Sequence, residues 1–112
     1  MALAENVFDN LRLELRRGCL TLAVLAQLRQ EHHGYTLRKA LAQHRLVIDA
    51  STLYPLLRRL ESQGLLVSQW REDKKRNKRF YRLSNDGEMI FVELLHEWRE
   101  LNKSIQNILE RR

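Results

Sequence analysis

The stretch from Ser51 to Trp70 reads STLYPLLRRLESQGLLVSQW, and it limits the possible folds more than any other part of the chain. Leu53, Leu56, Leu57 and Leu60 fall at i, i+3, i+4 and i+7, the spacing of one helical face. Ser51 stands where its hydroxyl would cap that helix. Pro55 falls at the end of the first turn and forfeits at most one hydrogen bond there. Gly64 suits the stop. At about 100° per residue the leucines share about 100° of arc. That leaves Ser51, Pro55, Arg58 and Ser62 opposite, with Thr52, Tyr54 and Arg59 flanking them. Such a helix, apolar within and polar and basic without, fits a major groove roughly 12 Å wide.

Its neighbours extend the pattern. A shorter helix is expected from Tyr35 to Gln43, with Leu37, Ala40 and Leu41 inward and Arg38 and Lys39 outward. A connector holding Leu46, Val47 and Ile48 joins the two as a helix-turn-helix. Strands are expected at Leu65–Arg71 and Lys78–Ser84, where Phe80, Tyr81 and Leu83 carry strand propensity. Between them EDKKRN forms a charged six-residue tip, with Asn77 tolerant of a turn. A hairpin bearing Lys74, Lys75, Arg76, Lys78 and Arg79 directly after such a helix matches the wing of a winged-helix domain.

The ends read differently. Leu3, Val7, Phe8, Leu11 and Leu15 line one face of an N-terminal helix that Gly18 separates from a second, buried helix at Cys19–Gln30. EHHGY predicts a turn in which Gly34 is free to adopt positive φ. Ser84 caps a last helix, with Asp86 and Glu88 in the first turn where the macrodipole favours them. In that helix Phe91, Leu94, Trp98, Leu101, Ile105 and Ile108 step by 3, 4, 3, 4, 3, an a/d seam. A lone helix cannot hide this seam against a domain so small. Each large apolar side chain left wet forgoes about 1.5–3 kcal/mol. A second copy of the chain would cover it, with Val7, Phe8, Leu11 and Leu15 as a further surface. The expected architecture is mainly α with a small β hairpin. A winged helix-turn-helix at 18–84 lies between dimerisation helices at 1–17 and 85–112.

Charge sharpens this. Of 20 Lys and Arg and 14 Asp and Glu, nine basic and three acidic residues lie between Arg58 and Arg82. The remainder balances, so the whole surplus of +6 sits on the candidate helix and hairpin. That is the footprint of a surface meeting a polyanion. No stretch of eighteen apolar residues and no signal peptide is present, and a single cysteine cannot form an internal disulfide. A soluble cytoplasmic protein without membrane contact is expected. Cys19 reads as a small core residue. His32, His33, His44 and His96 lack metal-ligand spacing, and no catalytic arrangement or cofactor loop is recognisable. Neither an enzyme nor a cofactor is expected.

STLYPLLRRLESQGLL, Trp70, KRFYRLSNDG and the pair Glu97–Trp98 together resemble the PadR family of bacterial transcriptional regulators. HGYTLRKAL, from His33 to Leu41, is similar to that family's second helix. The likeness covers Leu15 to Trp98 and implies a winged-helix dimer that usually represses transcription. The short C-terminal region resembles the family's smaller branch, which dimerises through one C-terminal helix and the N-terminal helix. By this likeness Tyr35, Ser51, Thr52, Tyr54 and Arg58 occupy positions at the DNA surface. Physically, Arg58 and Tyr54 suit base edges, whereas Ser51, Thr52, Arg59 and Tyr35 suit phosphates. In some PadR-like proteins a tryptophan like Trp98 lines an interface pocket for small planar aromatic ligands. A ring that simply fills the interface is the plainer alternative. The chain departs from many relatives at the wing, where Lys74-Lys75-Arg76-Asn77 replaces Gly or Pro.

The expectation is therefore a homodimeric regulator of double-stranded DNA, acting as a repressor on a palindromic operator. Two rivals remain: a protein-interaction module that leaves DNA alone, and a sensor that chiefly captures planar ligands.

Overall fold

The computed structural model describes residues 2–111, with side chains from residue 4 onward, so the expectation for Leu3 lies outside it. Helix α1 runs from Ala2 to Gln27 and is followed by the short strand β1, His32–His33. Helices α2, Gly34–Gln43, and α3, Ala50–Ser62, come next. Strands β2, Leu66–Asp73, and β3, Arg76–Leu83, lead into helix α4, Asn85–Glu110.

The core gathers one face from each element. Val24 and Leu25 of α1 and Leu28 just beyond it meet Leu37 and Leu41 of α2, the four leucines of α3, Leu66, Tyr81 and Leu83 of the sheet, and Phe91 of α4. Leu53 and Leu57 are fully buried, so the face read from the heptad-like spacing is the one that packs. Gly64 closes α3 with φ +80, a left-handed conformation that favours glycine. There Leu65 N–H donates to Leu60 C=O and Gly64 N–H to Glu61 C=O, the paired bonds of a Schellman end. The Ser84 hydroxyl accepts from Gly87 N–H at 2.9 Å, capping α4, and donates to Gly64 C=O at 2.6 Å. One side chain thereby ties the end of α3 to the start of α4.

Several local expectations change. Gly18 does not divide two helices. It is an exposed position inside a single 26-residue α1, where a mid-helix glycine costs about 1 kcal/mol and the long helix absorbs it. Cys19 is exposed rather than in the core, because α1 enters the domain only beyond it. The buried helix expected to reach Gln30 ends at Gln27. The segment read as a turn at His32–His33 is a strand, pairing His32 with Tyr81 and His33 with Phe80. The hairpin is thus two members of a three-stranded antiparallel sheet ordered β1-β3-β2. Its tip is tighter than six residues: Glu72 pairs with Asn77 and Asp73 with Arg76, leaving only Lys74 and Lys75 to turn.

Candidate nucleic-acid interface

Helix α3 presents an exposed ridge of Ser51, Pro55, Arg58 and Ser62 away from its leucines. Its start is set by Asp49 rather than Ser51. The Asp49 carboxylate accepts from Thr52 N–H at 3.0 Å, and the Ser51 hydroxyl donates to the same oxygen at 2.8 Å. These bonds, Ser51's first, hold the Asp49 carboxyl below its ordinary pKa. Asp49 and Ser51 are both good caps two residues apart, and the carboxylate takes the role because the helix begins at Ala50. Pro55 consequently lies two residues deeper than expected, in the helix interior.

Beside the ridge, a groove of about 420 Å3 separates α3 from the sheet and the start of α2. Tyr35, Tyr54, Arg58, Trp70, Asn77 and Lys78 line it. The Tyr54 ring lies directly over Gly34. A methyl group on Gly34 would sit 2.6 Å from the ring's Cε1 and 2.7 Å from Cζ. Gly34 therefore serves close approach, as a buried first residue of α2, and not the positive φ expected of it. Tyr54 is 38% exposed, so the same ring packs on α2 and still reaches the surface. Tyr35 stands out at 65%. The Thr36 hydroxyl accepts from His33 N–H at 3.1 Å, fixing how α2 leaves the sheet. Burial holds both His32 and His33 below the usual histidine pKa, and Lys78 adds to the effect on His33.

The wing's tip is built against ordinary propensity. Lys74 and Lys75 have φ of 52 and 66, the left-handed pair of a two-residue type I′ hairpin turn. Each costs about 1–2 kcal/mol relative to glycine-like freedom. The ladder on either side imposes this, and the result is two ammonium groups at the extreme of the hairpin.

The basic residues divide into two kinds. Arg79, expected among the phosphate contacts, is turned inward. Its guanidinium reaches Glu61 of α3 at 3.0 and 3.2 Å and donates to the Ser68 hydroxyl at 2.9 Å. It braces sheet against helix. Lys78 pairs with Asp73 at 3.1 Å, and Arg71 pairs with Glu31 while lying over the Phe80 ring. Arg58, Arg59, Lys74, Lys75 and Arg76 enter no ion pair among the described residues. Those five are exposed, as are Tyr35 on α2 and Ser51, Thr52 and Tyr54 on α3. Trp70, 61% exposed, lines the groove with Tyr35, Tyr54 and Arg58. Sequence reasoning did not assign it to the site, though its alternation with Ser68 on β2 places both on the face toward α3.

Far from this surface, the two long helices carry apolar residues into solvent. Val7, Phe8, Leu11 and Leu15 of α1 and Leu94, Trp98, Leu101, Ile105 and Ile108 of α4 are all exposed. Phe91, read as the start of this seam, is only 7% exposed and belongs to the domain's own core under Arg29. A groove of about 620 Å3 between α1 and α4 is lined by Leu15, Gly18, Leu22, Trp98 and Ile105.

No helix among the described residues is long and apolar enough to cross a membrane. A helix-turn-helix followed at once by a basic hairpin defines the class: a winged helix. The family model described as the transcriptional regulator PadR-like family matches residues 21–93. Transcriptional regulator Rv3488 of Mycobacterium tuberculosis is 34% identical over 93 residues, 82% of this chain and 87% of that protein. A PadR family transcriptional regulator from Eggerthella lenta, solved by crystallography, superposes with a TM-score of 0.91 at 40% identity, covering 100% of both chains. A PadR-like transcription factor from Bacteroides fragilis gives 0.76 at 31% identity over 89% of this chain and 99% of that one. The chain belongs to the PadR-like family of transcriptional regulators.

Proposed function

We propose that this regulator is a homodimeric, sequence-specific repressor that places two α3 helices in successive major grooves of a palindromic operator. The observation that carries this is the pairing of a leucine-anchored α3 with an adjacent wing whose tip cations have no internal partner. In this reading residues 18–84 meet DNA, while 1–17 and 85–112 join the copies. Arg58 and Tyr54 read base edges, and Tyr35, Ser51, Thr52, Arg59, Lys74, Lys75 and Arg76 meet phosphates, with Lys78 joining them by exchanging Asp73 for a phosphate. Two-fold pairing sets the half-sites about one DNA turn apart. The exposed apolar faces of α1 and α4 supply the reason to pair, since both would be covered by a second copy.

Selection of bound duplexes from random DNA tests the proposal. A palindrome is the expected product, and bound sequences without symmetry or preference would count against it. A planar aromatic inducer is a second element, favoured by the open face of Trp98, 42% exposed in the α1–α4 groove. Binding heat for a planar aromatic compound that disappears in Trp98→Ala by calorimetry, in a variant that still pairs, is the expected sign.

A further inference from the structure

Helix α3 is flanked on both sides, and only one flank belongs to the wing. Tyr54 and Arg58 face the wing groove, whereas Thr52 and Arg59 face a second groove, of about 500 Å3, between α3, the α2–α3 connector and α1. Two arginines of α1, Arg16 and Arg17, line this second groove beside Arg59. The Arg16 guanidinium also approaches Val47 C=O at 3.5 Å, which holds it over the connector. Asp49 is the one acidic residue lining the groove, and it is already engaged as the α3 cap. Three guanidinium groups thus share one cleft without an ion-pair partner among the described residues.

A helix with its side chains is about 10–12 Å across, close to the width of the major groove, so both of its flanks meet a phosphate strand. We propose that Arg16 and Arg17, with Arg59, form the docking surface for the second strand, opposite the strand met by the wing. Leu20, Ile48 and Leu56 also line the groove, apolar surface suited to arginine stems. The count of charge along the sequence conceals this surface because Glu5, Asp9 and Glu14 balance α1. In space the balance is broken: Glu14 lines the opposite groove, beside Trp98. The inference rests on the DNA-binding proposal and assigns it a contact outside the helix-turn-helix and wing.

The test is fluorescence anisotropy of the full chain on a duplex selected by the wild type, titrated at several salt concentrations. Arg16→Gln with Arg17→Gln should weaken binding at low salt about 10–100-fold and flatten the slope of log K against log salt by about 1–2, at roughly 0.9 per lost phosphate contact. Sequence preference should be unchanged, because phosphate contacts carry none. Arg16→Lys with Arg17→Lys should restore the slope, excluding a folding defect. Arg99→Gln with Lys103→Gln, removing equal charge from α4, should leave it near wild type. A wild-type slope in the α1 glutamine variant overturns the inference, as does an equal loss from the α4 variant. If those results accompany a flattened slope in Lys74→Gln with Lys75→Gln at the wing tip, the DNA-binding proposal survives and only the α1 contact falls. If the wild type retains no duplex at all, both fall.

Discussion

Leucine does opposite things at the two ends of this molecule. In the winged helix, Leu25, Leu28, Leu53 and Leu57 are fully enclosed, and the polar and basic groups look outward. On the arms, Leu11, Leu15, Leu101 and Ile105 are more than half exposed, though their spacing is just as regular. The first region has satisfied its hydrophobic pattern inside one chain. The second has the pattern without the partner. An apolar stripe therefore says which face will be buried, and only the surrounding volume says whether the same chain can bury it.

The largest effect should come from breaking the arms while sparing the domain. Leu101→Glu with Ile105→Glu should yield a monomer by sedimentation equilibrium. Its DNA affinity should fall about 10²–10⁴-fold through loss of two-site binding, with thermal unfolding of the winged helix retained. The converse variant, Leu57→Ala, should leave the arms able to pair but cost the domain about 2–5 kcal/mol in denaturant unfolding, because it empties a fully buried site. Gly34→Ala should act between these extremes. Forcing the Tyr54 ring off α2 should cost about 1–3 kcal/mol and reduce DNA affinity, and Tyr54→Leu in the same chain should recover most of the stability but not the affinity.

Replacing Lys75 by Gly should separate stability from binding. Relief of the left-handed conformation should raise stability by about 0.5–1 kcal/mol, while the loss of one tip charge flattens the salt slope. The smallest effect is at the α3 cap. Asp49→Ala should lower the thermal midpoint more than Ser51→Ala. The Asp49 contribution should be complete above the unfolded carboxyl pKa of 3.8 and vanish as pH falls through the lower folded value.

The legible parts of the structure were those governed by neighbours along the chain. Leu53 to Leu60, the Gly64 stop and the Ser84 cap depend on residues within one or two turns, and the structure keeps all three. What escaped depends on distant partners. The two-residue strand His32–His33 exists only because Phe80 and Tyr81 come alongside it. The turn at Lys74–Lys75 opposes local preference, and the register of β2 on β3 decides it. Arg79 looks like its basic neighbours in sequence, yet Glu61 and Ser68 claim it across 18 and 11 residues. Asp49 was readable, since an aspartate two residues before Ser51 is an equally good cap. The placement of Arg16 and Arg17 beside Arg59 was not, because it depends on which face of α1 meets the connector.

The most direct measurement is the mass of the complex formed with a selected duplex, by sedimentation velocity. Two copies of the 13.4 kDa chain on one duplex, falling to none when Leu101 and Ile105 are both replaced by Glu, is the predicted result. One copy per duplex, at an affinity that ignores those replacements, would contradict a basic surface that docks twice through paired arms.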